Sequence, residues 1–374
     1  MNKGILITIV LLIFIFSSSF SQKPTRQNEN KQDNIRVIAY CLSEGGNIDK
    51  YEIDKLTHLI FCFTNLKGNK ISIKNNEDED RLKRFVALKA NYPKLKVLVA
   101  FGGWGGCETC SEVFASVSGR KEFVTSVNDL LIKYNADGID IDWESPVIGG
   151  YENHKASKED KANFTSLIKE LRNTLPAKSE ICFDANSFKK YIDLSVDWQQ
   201  VVPLVNYVNL MTYTLPGNAK GHTGHHTALF SSPFQHESAD IAIHKLDSIG
   251  VPMNKMIIGA GFYSEVSENV DSVNNGLGRP GTFKKYVSYN KLFETFKENE
   301  GYEYHWDSIA QAPFLYNKRL KTFVTFDDKK SVSLKAKYAI ENKLGGIMFW
   351  QLRDDSYRNG LLDAIDKQIK TYKQ

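Results

Sequence analysis

The chain has 374 residues, formal net charge +4, 42% hydrophobic and 25% charged side chains, and five cysteines. That is too long for a small disulfide-stapled module and too apolar for a disordered chain, and it suits one large α/β barrel or two ordinary domains. Positive charge gathers into no stripe interleaved with aromatics, so nucleic acid is not an implied partner.

The N-terminus reads basic, apolar, then small: Lys3, an apolar run from Gly4 to Phe16, and Ser17-Ser18-Ser19-Phe20-Ser21. This is the layout of a secretory signal peptide over residues 1–21, and the run is short for a membrane span. An uncleaved anchor is the alternative. Residues 22–34 are polar and aperiodic and are expected to form a disordered leader.

From residue 35 onward, short apolar strands alternate with helix-length stretches. The expected strands are Arg36–Cys41, His58–Phe63, Lys96–Phe101, Gly138–Trp143, Ile181–Ala185, Tyr207–Thr212, Lys255–Gly259 and Gly346–Trp350. Helices are expected at Ala162–Thr174, Ser238–Ile249 and Ser331–Lys343. Eight β–α units over residues 35–374 predict an α/β fold, a closed (β/α)8 TIM barrel. An open doubly wound sheet would want a phosphate-binding glycine fingerprint after the first strand, which Glu44-Gly45-Gly46-Asn47 does not supply. About 85 residues separate the last two strands, more than one helix and its loops require. The Tyr-, Phe- and Gly-rich part, residues 266–326, is expected to be a small α+β insertion between strands 7 and 8.

Cys107-Glu-Thr-Cys110 has the spacing of a local disulfide in an oxidising compartment. A zinc or redox role has no second ligand pair at metal spacing to support it. Cys41, Cys62 and Cys182 lie in apolar strands and read as buried small hydrophobes.

The most informative segment is Asp137-Gly-Ile-Asp140-Ile-Asp142-Trp-Glu144. Side chains alternate along a strand, so Asp140, Asp142 and Glu144 share one face while Ile139, Ile141 and Trp143 take the other. Crowding three carboxyls on one face costs stability, because buried charges need partners and like charges repel. It does keep a neutral acid available near pH 7. A calcium site would want polar or glycine spacers instead. In a barrel, reacting groups stand at the C-terminal strand ends. There the other strands offer Phe101-Gly102-Gly103-Trp104, Met211-Thr-Tyr213 and Phe349-Trp350-Gln351, and aromatics converging on one rim fit a sugar site.

This run resembles, position by position, the DxxDxDxE signature of the glycoside hydrolase family 18 chitinases. The resemblance extends through Leu56–Phe63, Gly102–Trp104, Met211–Tyr213, Ile257–Tyr263, the FDDKKSVSLK stretch and Gly345–Asp355, and the insertion resembles the small domain that deepens the cleft in that family. It implies a secreted enzyme cutting β-1,4 bonds between N-acetylglucosamine units with retention. Glu144 then matches the proton donor, and Asp142 the acid that shares a proton and bonds the substrate acetamide. Asp140 and Asp137 match supporting acids, Tyr213 the acetamide-binding tyrosine, and Trp350 the sugar floor. The remaining expected sugar contacts are Tyr40, Phe63, Gly103, Trp104, Met211, Tyr263 and Trp306. The substrate's own acetamido oxygen would be the nucleophile, so no cofactor or metal is implied. The expected partner is chitin or chito-oligosaccharide, met by a monomer with no membrane insertion once the leader is removed.

Two positions depart from the family pattern. Ala100 stands where a serine is usual, with Cys62 or a water as the expected replacement for the lost hydroxyl. Thr214 stands where an aspartate is usual, so a less acidic pH optimum is expected. An endo-β-N-acetylglucosaminidase and a non-catalytic lectin-like barrel are the competing readings. The retained Glu144 argues against the lectin, and the insertion argues against a branched-glycan enzyme.

Overall fold

The computed structural model describes Met1 and residues 35–42, 47–144, 146–152, 154–217 and 221–373. The expected signal peptide and leader, residues 1–34, fall almost wholly outside these. From residue 35 the strands are β1 Arg36–Leu42, β2 His58–Lys67, β3 Lys70–Ser72, β4 Lys96–Gly102, β5 Gly138–Asp142, β6 Glu180–Asn186 and β7 Tyr207–Met211. They continue with β8 Met256–Gly261, β9 Tyr263–Glu268, β10 Thr282–Ser288, β11 Glu303–Asp307, β12 Ala312–Asn317, β13 Thr322–Phe326 and β14 Gly346–Trp350. The helices are α1 Asn76–Ala87, α2 Cys110–Ala115, α3 Val117–Tyr134, α4 Asp160–Thr174 and α5 Lys189–Leu194. After these come α6 Trp198–Val201, α7 Ala239–Ser248, α8 Tyr289–Thr295, α9 Lys329–Glu341 and α10 Leu361–Lys373.

Eight parallel strands follow the order β1-β14-β8-β7-β6-β5-β4-β2, and β1 pairs with β2 to close the barrel. All eight expected strands are present, with ends within four residues of those expected. Beyond expectation, β2 runs on to Lys67 and folds back on β3 as an antiparallel hairpin. The apolar alternation explains the layering. Ile139 and Ile141 point outward into the large core between barrel and helices, with Trp143, Phe164 and Phe183. The inward set, which includes Tyr40, Ala100, Cys182, Tyr207 and Met348, fills the barrel itself. At about 25 cal/mol per Å² of apolar surface removed from water, the outer layer is the main stabilising element and the inner one is free to carry polar chemistry.

A five-stranded antiparallel sheet, β10-β9-β13-β12-β11, stands between β8 and α9. It starts at Tyr263, three residues before the expected boundary, because only Phe262 separates β8 from β9. Its far end is tied back by a buried network. Asp327 pairs with Lys335 at 2.6 Å, both fully buried, and accepts from Ser331 Oγ and Thr227 Oγ1. The backbone N–H of Gly261, at the mouth of the barrel, donates to the same carboxylate at 3.1 Å. Cys107 and Cys110 form a disulfide. Among the described residues no helix is long and apolar enough to cross a membrane.

Candidate active site

The register places the acids. β5 lies between β4 and β6, with Ala100 beside Asp140, Gly102 beside Asp142, and Cys182 on the other side of Asp140. Asp140 and Asp142 face into the barrel and are buried, and Glu144 follows the strand end and keeps partial exposure.

The Asp140 carboxylate accepts from Cys182 Sγ at 3.0 Å, Tyr40 Oη at 3.0 Å and Asn209 Nδ2 at 3.3 Å. The hydroxyl lost at Ala100 is therefore replaced, though not by Cys62, whose thiol reaches the Ile60 carbonyl instead. Cys182, expected to be a plain small hydrophobe, is a donor to the acid.

A further acid that the sequence reading passed over joins the set. Asp184 on β6 is buried, and its Oδ1 lies 2.6 Å from the Tyr40 hydroxyl. Tyr40 accepts from Asn209 Nδ2 at 2.6 Å, and its one hydrogen faces two carboxyls. One hydroxyl proton cannot serve both fully, which favours a proton on one carboxyl of the Asp140–Asp184 pair. Burial, with Asp140 and Asp142 beside it, pushes Asp184 well up, whereas the donors around Asp140 oppose the upward push of its burial. Asp184 is therefore the member favoured to hold the proton, and its interaction with Asp140 lowers Asp140. The signal for it was an acid within the apolar strand Ile181–Ala185.

Asp142 is also pushed well above the ordinary carboxylate range, by burial first and then by Glu144 and Asp140. Its Oδ1 is buried without a hydrogen-bond partner among the described residues. An unpaired buried acceptor costs about 1–3 kcal/mol, so this oxygen is poised to take a donor from a ligand. Burial raises Glu144 to about 7. The group at the rim is thus an acid raised toward neutrality, next to a second raised acid whose charge bears on it.

Around this cluster the aromatic residues form a floor and walls. Trp350 stacks on Phe63 with centroids 5.6 Å apart and an interplanar angle of 20°. Phe63 lies so close to Gly103 (φ +80°) that a Cβ there would sit 2.6 Å from its ring. Gly102 would likewise strike the Asp142 carbonyl, so the paired glycines let the β4 loop close over the acid. Tyr213 reaches the Met348 sulfur at 3.9 Å, and Thr214 shares a 2.6 Å hydrogen bond with Tyr263. Thr214 holds φ +55°, a costly conformation for a β-branched residue that this bond helps to fix. Trp104 is 63% exposed and meets Tyr151 edge-on.

Two expected site residues, Asp137 and Trp306, lie elsewhere, and two, Tyr40 and Met211, lie beneath the site. Asp137 precedes Gly138 at the opposite end of β5, where it accepts from Val97 N at 2.8 Å and pairs with Lys89 at 2.9 Å. Its position one residue outside the alternation sends it away from the acids, and its role there is to pin β4 to β5. Trp306 lies on the edge strand β11 with the Lys330 ammonium 3.6 Å over its ring, capped rather than open. Tyr40 is buried beneath Trp350 as part of the acid network, so it supports the site from below. Met211 is 8% exposed and also lies within the barrel layer. Among the described residues no group of His, Cys, Asp and Glu is arranged to hold a metal ion.

A carboxyl raised to about 7 at the mouth of a (β/α)8 barrel, backed by buried acids and beside stacked aromatics, defines a glycosidase-type site. The chain belongs to the glycosyl hydrolases family 18, whose family model matches residues 25–355. Chitinase A1 of Niallia circulans is 30% identical over 292 residues, which cover 72% of this chain and 42% of that protein. Among solved structures, chitinase ChiW from Paenibacillus sp. str. FPU-7 superposes with a TM-score of 0.84 at 33% identity, over 89% of this chain and 42% of that chain. A family 18 N-acetylglucosaminidase from Paenibacillus barengoltzii gives 0.80 at 30% identity, over 90% of this chain and 100% of that chain. The first two relatives are thus more than twice as long as the part this chain matches.

Proposed function

We propose that this chain is an exported chitinase that hydrolyses β-1,4-linked N-acetylglucosamine chains with retention. The observation that carries the reading is the succession of Asp140, Asp142 and Glu144 at the end of β5, with Glu144 raised to about 7 and Asp142 holding a buried, unpartnered oxygen. In this mechanism Glu144 gives its proton to the glycosidic oxygen as the bond to C1 breaks. The substrate's acetamido oxygen closes on C1, giving an oxazolinium ion. Asp142 accepts the acetamide N–H at the oxygen that otherwise has no donor, and Tyr213 orients the acetamide carbonyl. Glu144, now ionised, takes a proton from the water that reopens the ring, so the β configuration is kept. Trp350 and Phe63 supply the stacking floor. Residues 1–21 are read as the export signal.

Because the acid must be protonated, kcat/KM is expected to fall as pH rises through about 7. The test is turnover of fully acetylated chitopentaose by the wild type and by Glu144→Gln. The variant should bind the pentamer and lose activity by at least about 10³-fold, with Asp142→Asn losing somewhat less. Undiminished turnover in Glu144→Gln would overturn the assignment. A second reading draws on the full-length match to an N-acetylglucosaminidase: stepwise release of single sugars, which would show as monomer from the first time point.

A further inference from the structure

One layer of the barrel interior is in register across three strands. Asp140 on β5 lies beside Cys182 on β6, and Cys182 lies beside Tyr207 on β7. All three side chains are buried. Cys182 Sγ stands 3.0 Å from Asp140 Oδ1, the same oxygen that accepts from Asn209 Nδ2, and 3.7 Å from the Ile139 carbonyl. On its other side the thiol interacts with the Tyr207 hydroxyl, which has no other hydrogen-bond partner among the described residues. Tyr207 is itself braced from outside this file. The Arg36 guanidinium lies 4.9 Å over its ring, and the ring of His58, bonded to Glu180 at 3.0 Å, meets it edge-on at 5.6 Å.

The chemistry of the three groups sets the direction of the file. Burial pushes the Cys182 thiol and the Tyr207 phenol well up, so both keep their protons. An ionised carboxylate only accepts, so the thiol hydrogen goes to Asp140 and the sulfur receives the hydrogen of Tyr207. A donor that is itself accepting is polarised and donates more strongly. Without the phenol, the thiol hydrogen is free to turn to the Ile139 carbonyl. Tyr40 from β1, Cys62 from β2 and Tyr207 from β7 face Asp140 across the barrel, Asp142 and Glu144 follow it on β5, and Cys182 and Asp184 flank it on β6. β4 places only Ala100 beside it, and the Cys62 thiol is spent on the Ile60 carbonyl. Burial pushes Asp140 up, and of the interactions that oppose this the bond from Cys182 is the largest, ahead of those with Asp184, Tyr40 and Asn209.

We propose that Tyr207 is a positioning residue for the catalytic acids that acts through Cys182: its hydroxyl aims and polarises the thiol that donates to Asp140, and the pair sets the acidic limit of the working pH range. The inference rests on the hydrolase reading above and deepens it. Donors to Asp140 favour its charged form, so removing one makes the acid stack lose its charge at a higher pH.

The test compares pH profiles of kcat/KM on fully acetylated chitopentaose. Cys182→Ala should move the acidic limb up by about one pH unit, the shift that one hydrogen bond to a charged group produces, and Cys182→Ser should bring it back. Tyr207→Phe should move the limb the same way by roughly 0.3 pH unit, the cooperative share of that bond. Cys182→Ala/Tyr207→Phe should move it no further than Cys182→Ala alone. A limb left in place by Tyr207→Phe, or shifts that add in the double variant, overturn the inference while the hydrolase reading stands. The infrared S–H stretch of Cys182, assigned by the Cys182→Ser difference spectrum, is a readout independent of turnover. It should lie below those of Cys41 and Cys62, whose thiols reach only backbone carbonyls at 3.7 and 3.6 Å, and should rise in Tyr207→Phe. A frequency unchanged in Tyr207→Phe overturns the inference. If the wild type does not cut chitopentaose, the hydrolase reading is what fails, and the S–H frequency decides the Tyr207–Cys182–Asp140 file by itself.

Discussion

Glu144 is raised from an ordinary 4.5 to about 7 by burial, and such a shift is also a statement about stability. The folded chain holds this proton between about pH 4.5 and 7, whereas the unfolded chain releases it. Raised acid pKa values in the folded state therefore make folding less favourable as pH rises through that window. The penalty is absent well below pH 4.5 and complete above pH 7. Two and a half pH units at 1.36 kcal/mol each make it about 3 kcal/mol. Replacing Glu144 with Gln removes the titration but keeps shape and hydrogen-bonding capacity, so the inactive variant should be the more stable protein at pH 8. The expected gain is about 3 kcal/mol, or roughly 5 °C in Tm for a domain of this size. At pH 5 the same comparison should give less than about 1 kcal/mol. Urea unfolding of wild type and variant at the two pH values measures this directly. An equal gain at both pH values would mean that the substitution acts through packing. No gain at pH 8 would mean that the carboxyl is not held out of water as described.

Three further outcomes are expected. Asp184→Asn should keep near-normal activity, because its amide N–H replaces the carboxyl proton as donor to Asp140. Asp184→Ala should lose roughly tenfold, the worth of one hydrogen bond to a charged group, and should move the acidic limb of the pH–rate profile upward. Equal damage from both variants would refute the neutral-donor role. Lys335→Met leaves Asp327 buried without its counter-ion, which should cost about 3–5 kcal/mol in urea unfolding; a loss under about 1 kcal/mol would refute the network's role in tying the small sheet to the barrel mouth. Trp104→Ala should raise KM for chitopentaose about tenfold with little change in kcat, because the exposed ring offers stacking outside the reacting centre, and a fall in kcat alone would contradict that placement.

The barrel was legible because its strands are short apolar runs at regular spacing, and the outer core depends on little more than that pattern. Asp140, Asp142 and Glu144 were legible for the same reason: period-two alternation put them on one face, and the register with β4 and β6 turned that face inward. Alternation equally separated Asp137, an odd number of residues from Asp140, although the family signature groups the four together. Asp184 went unread because its partners come from β1 and β5, far apart in the chain. The substitution of Cys182 and Asn209 for the missing hydroxyl at Ala100 has the same cause, since it is visible only once the barrel closes. Trp306 looked like an aromatic wall residue, and only the approach of Lys330 shows one face of its ring to be taken.

Retention is read out by an anomer-resolved time course of chitopentaose hydrolysis by the purified protein. Products should appear first as the β-anomer, mutarotate later, and be missing when Glu144→Gln replaces the wild type. Products that appear first as the α-anomer would contradict the attack by the substrate's own acetamide, and with it the role given to Asp142.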